Sequence, residues 1–351
     1  MVLEHPKLLR LKSNDNVAVA VNGLSPGDSL NVGSAVAKDS IPAGHKVAVC
    51  DIRAKTPVCK YGQTIGFASS NIAAGQHVHD HNVTVGQVER DYEIGKDSRT
   101  PEYVSEAQQE EFKGIIRPDG QVATRNFIGV LSTVSCSSSV ARCIADELRD
   151  EIANDYSHVD GIISIGHGAG CCHNPESDGL VFLQRVLAGY ARHPNFGGVL
   201  LVGLGCEVNH LDCLMEATGL SNGPLLKSVD IQKAGGTNAT VKAGVSAIRD
   251  MLPIINAVKR QSVAAEKIIL GLECGGSDAY SGISANPALG KAVDLLVANG
   301  GTAILSETPE IYGAEHLLTR RAIDSDTAKK LIQRIKWWEE YTARHGGEIN
   351  N

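Results

Sequence analysis

FIGVLSTVSC, residues 127–136, is the stretch from which the fold of this chain is read. Its apolar run, 127–134, has the length and make-up of a buried strand, and the run ends on a cysteine, Cys136. The same arrangement recurs three times. In GIISIGHGAGCC (161–172), strand 161–165 leads to Cys171. In GVLLVGLGCE (198–207), strand 198–204 leads to Cys206. In KIILGLECGGSD (267–278), strand 267–272 leads to Cys274. Stretches with helical periodicity separate these strands. Residues 140–153 place Ile144, Leu148 and Ile152 on one face, and further helices are expected over 180–190, 211–217, 240–259 and 287–298. Two more strands are expected at 225–229 and 302–305. Repeated strand–helix–strand units predict an α/β domain with a doubly wound, mostly parallel sheet.

Before this domain the pattern changes. VAVAV (17–21) and residues 47–52 read as strands, with turn residues between them, so residues 1–88 are expected to form a small all-β domain. Two turns within it echo each other, IPAGH (41–45) and IAAGQ (72–76). Residues 89–113 are polar and read as a linker. PDGQ (118–121) is a turn near the start of the α/β domain, which is taken as 114–351. The tail, 324–344, is a charged amphipathic helix carrying Trp337 and Trp338.

Composition narrows the function. A chain of 351 residues holds more than one core. The net charge of −7 and the lack of a basic run argue against a nucleic-acid partner. There is no uninterrupted apolar stretch of about 18 residues, and the first residues lack the apolar core of a signal peptide; no membrane partner and a cytoplasmic location are therefore expected. Nine cysteines scattered through a chain of this size point away from disulfides and towards metal or catalytic roles.

Ligands of open parallel sheets bind beyond the carboxyl ends of the strands, where the four cysteines are expected. Thiolates are soft ligands suited to iron–sulfur clusters, zinc or other transition metals. Cys50, Cys59, Cys143 and Cys213 fall within ordinary strand or helix patterns and are read as packing residues. His77, His79 and His81 alternate, so in a strand they would share one face, a geometry suited to metal binding or to reaching a substrate. His167 follows a strand and titrates near neutral pH, which makes it a proton-transfer candidate. Arg125 is a candidate for bidentate grip on a carboxylate. Lys46 follows the His45 turn and is expected to be exposed. Ser277-Asp278 lacks the glycine frame of a nucleophile elbow. Gly203-Leu204-Gly205 lacks the third glycine of a dinucleotide fingerprint.

Several of these segments together resemble the altronate/galactarate dehydratase family: ATRN (123–126), the Cys136 segment, His167-x-x-Gly170-Cys171, GLGCE (203–207), GLECGGSD (271–278) and SANPALG (284–290). ETPEIYGAE (307–315) looks more like the altronate branch, and HVHDHN (77–82) resembles the family's small SAF-type (β-clip) domain. Ala123, where the family usually has Gly, and Cys172-His173 depart from the pattern. The resemblance implies dehydration of an anionic sugar acid, D-altronate by preference, to a 2-keto-3-deoxy acid. It implies iron as cofactor, either mononuclear Fe(II) or an iron–sulfur cluster. The expected metal ligands are Cys136, Cys171, Cys206 and Cys274, with His77 and His79. His167, His79, Arg125 and Asp278 are the expected catalytic residues. Arg125, Asn126, Gly275, Gly276 and Ser277 are expected to contact substrate. Galactarate dehydratase and sulfolactate-type lyase are the alternatives. The family's usual C-terminal domain is expected to be missing, which would make the chain dependent on a separate partner or an inactive fragment. A homo-oligomer is a further expectation.

Overall fold

The computed structural model describes residues 8–30, 35–84, 92–273, 275, 278, 280–347 and 349. The chain divides into two compact units: Met1–Val104 together with Ile269–Asn351, and Ser105–Ile268.

The amino-terminal part of the first unit is built from short antiparallel strands: β1 (Leu8–Leu9), β2 (Val17–Ala20), β3 (Lys46–Ala48), β4 (Pro57–Lys60), β5 (Gln63–Ala68), β6 (His77–Val78) and β7 (Val83–Thr84). They form a four-stranded sheet, β1-β2-β3-β6, and a three-stranded sheet, β4-β5-β7. All four residues of β2 are buried. Strand alternation sends them into different cores: Ala18 and Ala20 pack with Leu24, Leu30, Ile41 and Val47, whereas Val17 packs with Ala48, Ile52, Val58, Ile72 and Val78.

The echoing turns are structurally equivalent. Ile41 bridges Leu24 and Ile72 bridges Ile52. Gly44 N–H donates to Ala20 O at 2.7 Å, and Gly75 N–H to Ala48 O at 2.8 Å. Both glycines have positive φ, +81° and +88°. At Gly75 a Cβ would lie 1.9 Å from Val36 O, so that backbone approach admits only glycine.

The second unit starts with β8 (Glu111–Ile116) and β9 (Val122–Ala123). It continues through β10 (Phe127–Ser132), α1 (Ser138–Asp155), β11 (Gly161–Ile165), α2 (Asp178–Ala191), β12 (Phe196–Gly203) and α3 (Leu211–Thr218). β13 (Leu226–Asp230), α4 (Ile231–Ala234), α5 (Thr237–Asn256) and β14 (Gln261–Ala264) complete it. Strands β10 to β13 form a parallel sheet in the order β11-β10-β12-β13. Helices cover both faces. α1 and α5 pack against Ile128, Val130, Leu200 and Val202, while α2 and α3 pack against Leu131, Val199 and Leu201. Burial on both faces is why these strands read as continuous apolar runs. β14 pairs antiparallel with β8, and β8 with β9. The strand β8 thus takes up the end of the stretch expected as linker.

The chain then returns to the first unit with β15 (Ile269–Leu272), α6 (Ala285–Ala298), β16 (Thr302–Leu305), α7 (His316–Thr319) and α8 (Ser325–Arg344). β15 and β16 pair in parallel with each other and make a separate two-stranded sheet. Among the described residues no helix is long and apolar enough to cross a membrane.

Candidate functional site

In the second unit, β10 is flanked by β11 on one side and β12 on the other, so the connection from β10 to β11 and the next, from β11 to β12, run in opposite directions across the sheet. The carboxyl ends of β10 and β12 frame this switch point, where α/β sheets bind ligands. The loops that follow the strands are laced together there. Ser135 N–H donates to Ala169 O at 2.9 Å, and Val208 N–H to Cys171 O at 3.1 Å. Glu207 is 3 % exposed and organises the centre of this lacing. Its carboxylate accepts from Thr133 Oγ1 at 2.7 Å, Leu204 N at 2.9 Å and Gly205 N at 2.6 Å. Burial alone would raise its pKa. The hydrogen bonds from Thr133, Leu204 and Gly205 outweigh burial and hold the carboxyl below its usual range. Gly205 sits at φ +112°, and a Cβ there would lie 2.7 Å from Asp230 Oδ1.

The thiols predicted to ligate metal lie in these loops. Cys136 and Cys206 are exposed and Cys171 is half-buried; Cys171 Sγ is 3.8 Å from Cys172 Sγ. Among the described residues no three His, Cys, Asp or Glu side chains form a group able to hold a metal ion. Cys136, Cys171 and Cys206 are therefore not gathered by themselves into such a group. Cys274, Gly276 and Ser277 lie outside the described residues. His77 and His79 belong to the other unit.

His167 is occupied by the backbone on both sides. Nδ1 accepts from Ala169 N–H at 3.2 Å, which leaves Nε2 to donate to Ser132 O at 3.1 Å. Burial lowers its pKa against an upward pull from its backbone hydrogen bonds, and both ring nitrogens are taken up by the loop backbone. Sequence reasoning passed over its neighbour His173 as a functional group, yet His173 Nε2 is buried with no hydrogen-bond partner among the described residues.

Two predicted substrate contacts are placed elsewhere. Arg125 and Asn126 precede β10, at the amino edge of the parallel sheet, opposite the cysteine loops. Arg125 is exposed, with Nη1 3.7 Å from Asp160 Oδ1. Asn126 is 0 % exposed. Its Nδ2 donates to His158 O at 2.8 Å and Ile255 O at 3.0 Å, and its Oδ1 accepts from Arg117 at 3.0 Å. Every polar atom of the Asn126 amide is thus spent on the fold.

The first unit contains a cavity of about 1140 Å³. Its basic lining comes from β3, β4, the turn before β3 and the turn after β6: His45, Lys46, Lys60 and His79. Its acidic lining comes from Glu273, Asp278, Glu307 and Glu310, while Ser281, Asn286 and Ser306 add neutral polar groups. Gly275 also lines it. His79, Asp278 and Gly275 are thus the predicted site residues that share this wall.

Four imidazoles cluster beside the cavity. His45 Nδ1 is 3.0 Å from His77 Nε2. The rings of His45 and His79 stack with centroids 5.1 Å apart, and those of His77 and His81 are 5.4 Å apart. The cause differs from the expected shared strand face. β6 ends at Val78, and a turn held by Asn82 carries the rest: Asn82 Nδ2 donates to His77 O and its Oδ1 accepts from His79 N–H. His79 Nδ1 contacts Asp80 Oδ1 at 2.7 Å.

The cluster is crowded with positive charge. Burial lowers the pKa of His77, and repulsion from His45, His79, His81 and Lys46 lowers it further. Lys46, expected at the surface, is half-buried; burial depresses its pKa against an upward pull from Asp80. Burial also depresses Lys60, and repulsion from Lys46 adds to the effect. The sequence held no local signal for Lys60. It stands on a short strand 14 positions after Lys46, and only the sheet-to-sheet packing brings them to one cavity.

The sequence matches family models along almost its whole length. The altronate/galactarate dehydratase SAF domain matches residues 6–86. The D-galactarate dehydratase/altronate hydrolase second domain matches 114–256, and the D-galactarate/altronate dehydratase C-terminal model matches 265–351. An altronate dehydratase of Bacillus subtilis is 33% identical over 342 residues, 96% of this chain and 67% of that protein. The chain belongs to the altronate/galactarate dehydratase family. The family's altronate dehydratase of Escherichia coli is 34% identical over 344 residues, 97% of this chain and 68% of that protein. The galactarate dehydratase (L-threo-forming) of Escherichia coli is 31% identical over 341 residues, 95% of this chain and 65% of that protein. The C-terminal match corrects one expectation. Residues 265–351, read as the end of a single α/β domain, are matched by the very domain expected to be missing from this dehydratase-family chain.

Proposed function

We propose that the chain dehydrates a sugar acid, D-altronate by preference, to a 2-keto-3-deoxy acid, with galactarate as the alternative substrate. One observation carries this reading: a single cavity of about 1140 Å³ is lined by ammonium and imidazole groups, carboxylates and hydroxyls. That lining suits a small polyhydroxylated anion and is poorly suited to an apolar ligand.

In the reaction the C2–H bond breaks and its electrons form the C2=C3 bond. The C3–O bond breaks, the leaving hydroxyl takes a proton and departs as water, and the enol tautomerises to the 2-keto acid. His79 is the proposed base. Its Nδ1 is engaged by Asp80, which leaves Nε2 to accept a proton. The acidic lining groups, Asp278 among them, are proposed to hold the sugar hydroxyls and to pass a proton to the departing one. Positive charge nearby lowers the cost of the enediolate-like charge that develops on the substrate.

Iron dependence is part of the proposal as a requirement to be measured, and no step is routed through the metal. Among the described residues no three His, Cys, Asp or Glu side chains are grouped to hold a metal ion, and His45 Nδ1 and His77 Nε2, 3.0 Å apart, are each other's hydrogen-bond partners. The deciding experiment is product analysis with D-altronate, galactarate and sulfolactate, using anaerobically prepared protein assayed for iron and sulfide. Formation of 2-keto-3-deoxy acid from altronate is the expected result. Absence of that product in iron-loaded protein refutes the reading, and full activity in metal-free protein removes iron from it.

A further inference from the structure

We propose that Lys46 and Lys60 form the carboxylate-binding end of the first unit's cavity, and that this end selects acids with one carboxylate over acids with two. The inference rests on the sugar-acid reading and sharpens it to aldonates.

Both lysines line the same cavity and both are half-buried. Neither ammonium has an ion-pair partner among the described residues. Lys60 lies with its Nζ 4.5 Å from the Tyr61 ring centroid, a contact that leaves its charge uncompensated. The two positive charges repel each other, and among the described residues Asp80 is the one carboxylate whose pull on Lys46 is resolved. An anion placed between two such groups relieves the repulsion and gains charge-assisted hydrogen bonds from both.

The rest of the lining defines what the other end of the ligand meets. Glu273, Asp278, Glu307 and Glu310 line the cavity from residues 273–310, whereas its lysines and histidines come from residues 45–79, so acidic and basic groups belong to different stretches of the chain. No arginine and no third lysine lines the cavity among the described residues. The hydroxyls of an aldonate can donate to the acidic groups. A second carboxylate would face those groups with no further lysine or arginine of the lining to receive it, and like-charge contact is strongly unfavourable.

The test measures binding by calorimetry with the full chain, using D-gluconate and D-glucarate as probes. Wild-type protein is expected to bind gluconate at least about tenfold more tightly than glucarate, a comparison that needs no variant. Lys60→Met is expected to weaken gluconate by about 10- to 100-fold, whereas Lys60→Arg stays within about fivefold of wild type. Equal affinity for the two acids overturns the selectivity. Unchanged gluconate affinity in folded Lys60→Met and Lys46→Met, or no gluconate binding by wild type, overturns the subsite. Should Lys60→Met fail to fold, Lys60→Gln replaces it under the same criteria. Lysine-dependent gluconate binding without dehydration of any sugar acid would refute the dehydratase reading and leave the subsite standing. Dehydration with lysine-independent binding would do the reverse.

Discussion

Replacing Glu207 with glutamine tests whether one buried carboxylate holds the loops at the carboxyl edge of the parallel sheet. Glu207 is 3 % exposed and accepts three hydrogen bonds at 2.6–2.9 Å. The substituted amide would keep one oxygen for Thr133 and Leu204 at neutral strength and would turn an NH₂ towards the Gly205 N–H. One bond to a charged acceptor, worth about 1.5–3 kcal/mol, is lost, and a buried donor left unmet costs a further ~1–3 kcal/mol. The expected loss is about 3–4 kcal/mol, or a fall in Tm of roughly 10 °C for the second unit. The pH dependence adds a second check. The folded-state pKa lies below the unfolded value of about 4.3, so the stabilisation is complete above that value and is lost as pH falls through the folded pKa. The gap between wild type and Glu207→Gln should stay constant from neutral pH down to about 5 and close in stronger acid. Calorimetric melts across that range measure it. A variant that melts within about 2 °C of wild type at neutral pH would refute the reasoning.

Two further substitutions probe the first unit. Gly75→Ala puts a Cβ against Val36 O at a backbone position with φ +88°, and is expected to cost about 2–4 kcal/mol in a thermal melt; a variant as stable as wild type shows that the turn can shift freely. His79→Asn is expected to lower kcat by about 100-fold with a smaller change in KM, and unchanged turnover removes His79 from the mechanism.

The parallel sheet was legible in the sequence because both its faces are buried. Continuous apolar runs such as 127–134 and 198–204 declare themselves without tertiary information, and Ile144, Leu148 and Ile152 mark the face that α1 buries. The strand β14 was not legible: Gln261–Ala264 is short and half-polar, and its pairing with β8 is set by an edge far away in sequence. The separate pairing of β15 with β16 was hidden for the same reason, since strand–helix–strand periodicity does not say which sheet a unit joins. Among the residues that line the cavity, His79 and Asp278 stood out in the sequence through their chemistry. Asn126 was misread, because a fully buried amide and a ligand-binding amide look alike in a motif. Lys46 and Lys60 escaped because lysines are ordinarily exposed, and only the packing of β3 and β4 buries them.

The electrostatics of that corner argue for an occupant of negative charge. Two lysines and four histidines are gathered around one wall, and burial first, with their mutual repulsion added to it, depresses the pKa of Lys60 and His77. Each group kept charged there costs free energy, and each group driven neutral gives up hydrogen-bonding strength. A fold selected for stability alone would place a carboxylate between Lys46 and Lys60; Asp80 pulls on Lys46, but among the described residues neither lysine has an ion-pair partner. An incoming carboxylate supplies that counter-charge, and it arrives where charge must be stabilised when the proton next to that carboxylate leaves. On the proposed reading, the same groups that repel one another in this corner would give a sugar acid its grip and lower the barrier of the elimination.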